Sequence, residues 1–493
     1  MNFSKACGCT ADIADYHVFF VNLLKTEIGQ IFRNMNTFSR CLIFLAAAAA
    51  MTACGGAGKN PNHITTIDSG QVRGVLASDS STVVFRGIPY AAAPVGELRW
   101  QKPQPVESWN GVRVCDTFGP AAVQPPHSDP NSFYTKEFYW EGDPEFSEDC
   151  LYLNVWTPGD AVANPDKKLP VAVWIHGGAY TNGWGHEITM DGEAWAERGV
   201  ILVTINYRLG IFGFLCHPLL AEEGGGVCGN YGTWDQAAAL QWVERNISAF
   251  GGDPDKITVF GQSAGASSVK NMVASPVTRD LLAGAIIQSG GGLGEFIRES
   301  PMEESMKLGK DIMDFAGCTT LEQMRALSTE EVQNLLGNYM AEKKTYLMLA
   351  PVTDGQLLPE SFDQAALDGE IADIPYMIGW NLDDMSDMSE PIGRFALTRE
   401  QQSSCPTYVY EFMRRLPGDD SGAFHSAELW YMFGTLDNSW RPFTEADHLL
   451  SEQMLDAWTN FAKYGNPCGA SGDGSWNPYT AENPEIHKFD ISE

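Results

Sequence analysis

The stretch GQSAGASSVK, Gly261 to Lys270, decides how this chain is read. A serine stands between two glycines and leads into small residues. The β-branched and aromatic run KITVF precedes it, and a helix-compatible segment follows. The order strand, tight turn, helix excludes a floppy Ser/Gly linker. It matches the G-x-S-x-G elbow, in which the flanking glycines permit a sharp turn. That turn lifts Ser263 to the edge of a sheet. The unpaired N–H groups at the start of the next helix then face any negative charge that develops there.

Outward from the elbow, LYLNVWTP, LPVAVWIH, VILVTINYR, DKITVF and AGAIIQSG are compact apolar runs. WDQAAALQWVERNISAF, Glu303 to Phe315 and Glu445 to Tyr464 read as helices. PYMIGW and TYVYEFM are late strands. Near-continuous apolar strands alternating with helices predict an α/β fold, a mostly parallel central sheet with helices on both faces. The segment HSDPNSFYTKEFYWEGDPEFSED (127–149) reads as an ordered loop suited to a mouth or lid.

A serine hydroxyl needs a base, with an acid holding that base in place. In this fold the chain order is Ser, Asp/Glu, His. Of the histidines beyond Ser263, His448 lies in a surface helix and His487 near the end. His425, in a loop after TYVYEFM, is the expected base. For the acid, Asp383, Asp384 and Asp387 follow the strand PYMIGW, and Asp354 precedes a turn; the pattern alone leaves these open. HGGAY, His176 to Tyr180, follows a strand. Its backbone N–H groups, with that of Ala264, can hold an oxyanion, where losing one donor costs roughly 3 kcal/mol of transition-state stabilisation. His176 itself reads as a brace for the loop.

Composition narrows the partners. Across 493 residues, 63 Asp+Glu against 32 Lys+Arg give a formal charge of −31, which excludes nucleic acid and adhesion to anionic lipid. The cysteines and histidines lack metal spacing, and no phosphate loop is present, so neither metal nor organic cofactor is expected. Arg40, the apolar run from Leu42 to Ala53 and then Cys54 read as an export signal ending in a lipoprotein box. Residues 1–53 are therefore expected to be a leader, with Met35 as an alternative start, and 54–66 a tether. A lipid on Cys54 would attach the protein to the bacterial cell envelope. Residues 67–493 are expected to form one domain. Export permits disulfides.

The linked motifs FRGIPYAAAPVGELRW (Phe85 to Trp100), SEDCLYLNVWTP (Ser147 to Pro158), HGGAY, NYRLGIFGFL, GNYGTWDQAAALQWV, NISAFGGDPDKITVFGQSAG and GAFHSAEL resemble the type-B carboxylesterase family. The resemblance implies an α/β-hydrolase fold and cleavage of small-molecule carboxylic esters through an acyl-serine. It makes Ser263 the nucleophile and His425 the base. Asp384, in NLDDM, stands where the family has a glutamate. The implied oxyanion donors are the N–H groups of Gly178, Ala179 and Ala264, with Ala179 replacing a glycine. Gln262 replaces a glutamate beside the nucleophile, with Ser289 as a further neighbour of the histidine. The family's early disulfide implies a Cys115–Cys150 pair with an altered loop path. Glu148 is expected to pair with Arg86 or another nearby arginine, and Asp235 with Arg208. Only 41 positions separate Asp384 from His425, implying a shortened insert between 385 and 406. The pocket is then expected to be more open, or walled partly by residues 127–149. The competing readings are a hydrolase of acetylated glycans, amides or thioesters, and a non-catalytic binding protein.

Overall fold

A computed structural model describes residues 62–294, 299–472 and 474–491. The leader, Cys54 and most of the tether lie outside the described residues. Ten strands form the central sheet: β1 (Val75–Leu76), β2 (Thr82–Pro89), β3 (Tyr152–Pro158), β4 (Leu169–Ile175), β5 (Ile201–Ile205), β6 (Gly252–Gln262), β7 (Gly284–Gln288), β8 (Tyr376–Asn381), β9 (Thr407–Phe412) and β10 (His487–Phe489). Their spatial order is β1-β2-β3-β5-β4-β6-β7-β8-β9-β10. The pairs from β1 to β5 are antiparallel, and every pair from β5 to β10 is parallel. This is the expected α/β-hydrolase sheet.

The continuous apolar runs follow from this burial. Successive side chains of a strand point to opposite faces, so a strand covered on both sides needs apolar residues throughout. In β4, Val171, Val173 and Ile175 enter one core, and Ala172 and Trp174 enter the other. In β6, Ile257 and Val259 part from Phe260 in the same way. The first core is completed by α2 (Tyr231–Asn246) and α3 (Ala264–Ala274), and the second by α6 (Glu445–Tyr464). The 127–149 segment is not all loop. It carries the short helix α1 (Phe133–Phe138) and a two-residue strand, Phe146–Ser147. Helix α4 (Met302–Phe315) packs on the two-stranded sheet of Ser300–Pro301 and Val352–Thr353, whereas α5 (Ser389–Gln402) covers β8 and β9 and fills the region of the expected shortened insert.

Two buried ion pairs brace the chain. Arg208 and Asp235 form a bidentate pair at 2.8 and 2.7 Å, as the motif resemblance implied. Glu148 takes Arg99 as its partner, at 2.7 and 2.6 Å, rather than Arg86. Arg86 instead lies over the Phe118 ring and donates to the Asp116 carbonyl.

The expected Cys115–Cys150 disulfide is corrected by the structure, which keeps both as buried free thiols. Cys115 follows the outer strand Val112–Val114, and its thiol turns toward the Arg113 carbonyl at 3.9 Å. Cys150 opens toward the buried Asp235–Arg208 pair, and burial pushes its thiol well above the usual range. The two sulfurs serve different environments. No helix among the described residues is long and apolar enough to cross a membrane.

Candidate active site

The site lies at the carboxyl ends of the parallel strands, where open α/β sheets bind ligands. Strand β6 ends at Gln262, and α3 starts at Ala264. Ser263 joins them with φ 59° and ψ −125°. This backbone is strained for any residue with a Cβ, at a cost of order 1–3 kcal/mol. It is held on both sides: the Ser263 N–H donates to the Gln288 carbonyl at 2.9 Å, and the Ser263 carbonyl accepts from Ser267 N–H at 3.0 Å. The two motif glycines meet a packing demand. A Cβ on Gly265 would lie 2.1 Å from the Ile175 carbonyl oxygen, and one on Gly261 would lie 2.6 Å from Gly265. The elbow is thereby wedged against the end of β4.

That end of β4 continues into HGGAY. Gly178, at φ 97°, has no room for a Cβ, which would lie 2.0 Å from the Asn182 carbonyl oxygen. Ala179 follows at φ 53°, so the alanine adopts a left-handed backbone at a cost of roughly 1 kcal/mol. Among the described residues, no acceptor faces the N–H of Gly178, Ala179 or Ala264. His176 braces the loop. It stacks on Tyr207, its carbonyl accepts from the Tyr207 hydroxyl at 2.9 Å, and burial pushes its ring down to about 4.

His425 arrives on the loop after β9. Its Nδ1 lies 2.6 Å from Asp384 Oδ1, and its Nε2 lies 3.2 Å from Gln262 Nε2. The carboxylate calls for the proton on Nδ1, which leaves the lone pair on Nε2. Gln262, with its amide nitrogen assigned toward the ring, donates to that lone pair.

Asp384 follows the last residue of β8 by three positions. The chain turns tightly there: Asp384 N–H donates to the Asn381 carbonyl at 3.1 Å, and Asn381 N–H donates to Asp384 Oδ2 at 3.2 Å. The turn brings the backbone close, so the short aspartate side chain reaches the ring. Burial pushes the carboxyl up, but hydrogen bonding to His425, the ring's charge, Ser289 and the Met385 N–H together hold it below the usual carboxylate range. The Ser289 hydroxyl is beside the carboxylate without a tight hydrogen bond to it. The other aspartates point elsewhere. Asp383 binds Arg415 and the Ala423 N–H, each at 2.9 Å. Asp354 accepts from the N–H groups of Gln356, Leu357 and Leu358 and so closes a turn. Asp387 accepts from the Ser389 N–H at the start of α5.

Ser263, Gln262, His425, Gly178 and Ala179 border one cavity of about 300 Å³. The 127–149 segment supplies much of its wall through His127, Tyr134, Phe138 and Tyr139. Tyr134 donates to the His425 carbonyl at 3.3 Å. The wall is anchored from behind by Glu137, which accepts from Arg441 at 2.9 Å and from Trp430 at 2.8 Å. His127 is pinned at 2.6 Å by Asp143 and stacks on Tyr139.

A profile of the carboxylesterase family matches residues 61–391 and 385–493. The chain belongs to the type-B carboxylesterase family. It is 33% identical to the para-nitrobenzyl esterase of Bacillus subtilis (strain 168) over 484 residues, covering 86% of this chain and 94% of that one. It is 35% identical to liver carboxylesterase B-1 of Rattus norvegicus, with 89% and 91% covered. A solved para-nitrobenzyl esterase superposes with a TM-score of 0.76 at 32% identity, covering 87% of this chain and 96% of that one. This carboxylesterase is thus a hydrolase acting on carboxylic esters.

Two carboxyl groups of this carboxylesterase site escaped the sequence reading. Glu428 is fully buried three residues beyond His425. It accepts from Asn381 Nδ2 at 2.6 Å and from Gln288 Nε2 at 3.2 Å. Burial, with the nearby Asp384 charge, raises its carboxyl above the usual range despite the Asn381 hydrogen bond. Its place in HSAEL, close behind the histidine, was the available signal.

Glu187 lines the cavity, accepting from the Trp184 N–H at 3.1 Å and the Tyr139 hydroxyl at 3.4 Å. Burial pushes its carboxyl up from 4.5 to about 7. No motif marks it. Between those two values the folded chain keeps a proton that the unfolded chain has released. Stability from this group is therefore full below about 4.5 and is lost as pH rises through about 7. Glu187→Gln should remove this slope. Its advantage over wild type should grow by on the order of 3 kcal/mol between pH 4.5 and 8. Denaturant melts at several pH values check this, and parallel profiles for the two proteins would refute it.

Proposed function

We propose that this carboxylesterase cleaves small to medium acyl esters through an acyl-serine intermediate. The observation that carries the reading is the shared cavity. Ser263, the imidazole of His425 and the amide-bearing Gly178–Ala179 turn all border it, and Asp384 is bonded to the far side of the ring. Its volume of about 300 Å³ sits at the small end of the range for ligand sites, which favours short acyl groups.

In the proposed cycle, His425 Nε2 takes the Ser263 proton as Oγ attacks the ester carbonyl. The N–H groups of Gly178, Ala179 and Ala264 receive the oxyanion. His425 then protonates the leaving alcohol and next activates water against the acyl-serine. Asp384 keeps the Nδ1 proton in place and stabilises the charged ring. The cycle uses no metal or organic cofactor.

The test is a panel of p-nitrophenyl esters from acetyl to palmitoyl, with fluorophosphonate labelling mapped by mass spectrometry. The expected results are a phosphonyl adduct on Ser263 and a kcat/KM that peaks at short acyl chains and falls with length. Absence of the adduct from folded protein would remove the acyl-serine. A maximum at palmitoyl would remove the size assignment.

A further inference from the structure

A second cavity, of about 250 Å³, lies apart from the ester site and is bordered by Trp100, Lys102, Glu223, Trp234 and Cys228. None of Ser263, His425 or Asp384 borders it. Behind its wall, Cys216 and Cys228 flank the short helix Pro218–Glu223, and both are buried.

Two contacts place the Cys216 sulfur against the backbone of Cys228 and Gly229. Cys216 Sγ lies 3.7 Å from the Cys228 carbonyl oxygen. A Cβ on Gly229 would lie 2.0 Å from the same sulfur, so this glycine, at φ 93°, leaves the space that the sulfur occupies.

We propose that Cys216 and Cys228 are a redox-active dithiol, closed to an intrachain disulfide by a hydroperoxide that enters through this cavity. Cys228 attacks first, because it borders the cavity and Cys216 does not. Interaction between the two side chains lowers the Cys228 thiol below its usual range and raises that of Cys216. The thiolate is the reactive form.

The Cys228 sulfur attacks one peroxide oxygen, and the O–O bond breaks. The leaving oxygen departs as hydroxide from hydrogen peroxide, or as alkoxide from an organic hydroperoxide, and takes up the Cys228 proton to give water or alcohol, with sulfenic acid left on Cys228. The Cys216 sulfur then attacks the Cys228 sulfur. The S–O bond breaks, and hydroxide leaves with the Cys216 proton as water. Two thiols are oxidised, and one hydroperoxide is reduced by two electrons.

The new bond would close the chain around Pro218–Glu223. It would tie the segment under α4, where Gly309 packs on the Cys216 carbonyl, to the start of α2, where Asn230 holds Val352 and Asp354. Closing that loop restricts the unfolded chain, so oxidised protein should melt at a higher temperature, and dithiothreitol should reverse the shift.

The experiment treats the full chain with hydrogen peroxide, alkylates it in denaturant and maps the peptides. Cys216 and Cys228 should be recovered as one cross-linked peptide, and Cys115 and Cys150 as alkylated thiols. With dimedone present, Cys216→Ser should carry an adduct on Cys228, whereas Cys228→Ser should carry none on Cys216. Recovery of Cys216 and Cys228 as alkylated thiols after peroxide would overturn the pair. An adduct on Cys216 in Cys228→Ser would overturn the order of attack. The wild-type map decides the pair even where a serine variant fails to fold, and none of these readouts depends on ester hydrolysis.

Discussion

Ser263→Ala is expected to lower kcat on p-nitrophenyl acetate by on the order of a million-fold while the protein stays folded. The loss is that large because the remaining parts of the site act through the serine oxygen. Without Oγ, the imidazole of His425 has no serine hydroxyl to activate, and the amides of Gly178, Ala179 and Ala264 have no serine adduct to stabilise. Some hydrolysis over water should persist from those amides and from His425 acting on a bound water. Stability should change little. The left-handed backbone at position 263 strains alanine as it strains serine, and the wedge formed by Gly265 and Ile175 is untouched. Single-turnover kinetics beside thermal melts give the check. A folded variant with less than a hundred-fold loss would mean that another group attacks the ester.

Asp384→Asn should cost about ten-thousand-fold in kcat with a much smaller change in KM. The 2.6 Å contact requires the ring to present Nδ1–H to an acceptor. An asparagine that turns its NH2 toward the ring reverses that demand, so the proton moves to Nε2 and the base is lost. The neighbouring Asp383→Asn is the matched control. Asp383 binds Arg415 and the Ala423 N–H and does not touch the ring, so its loss should cost less than about ten-fold. Equal losses in the two variants would show that the loop, rather than the tautomer, is what was disturbed. The pH profile of kcat separates these further, since a tautomer defect should be partly offset as hydroxide replaces the lost base.

Much of the scaffold was legible before any coordinates. Glu445 to Tyr464 was read as a helix and is one over those residues, because its periodicity and ends are local. The strand, turn and helix around Ser263 were legible because the two glycines meet a steric demand within five residues. Chain order left three histidines beyond Ser263, and the loop after TYVYEFM favoured His425 among them. The aspartates show where this stops: NLDDM offers two adjacent carboxylates, and their side chains leave the strand end in different directions. Only folding brought Asp384, 41 residues away in the chain, to the His425 ring and turned Asp383 toward Arg415.

The same division runs through the rest of the molecule. Backbone conformation and burial pattern are written in short windows, since each residue's sterics and polarity act on its near neighbours; the sheet, its two covered faces and the elbow therefore belong to the sequence. The choice of Arg99 over Arg86 for Glu148, the separation of Cys115 from Cys150, the meeting of Cys216 with Cys228 and the raised carboxyl of Glu187 belong to the tertiary structure. Each depends on which side chains converge in space and how much water they lose there, and neither quantity exists until distant segments have packed.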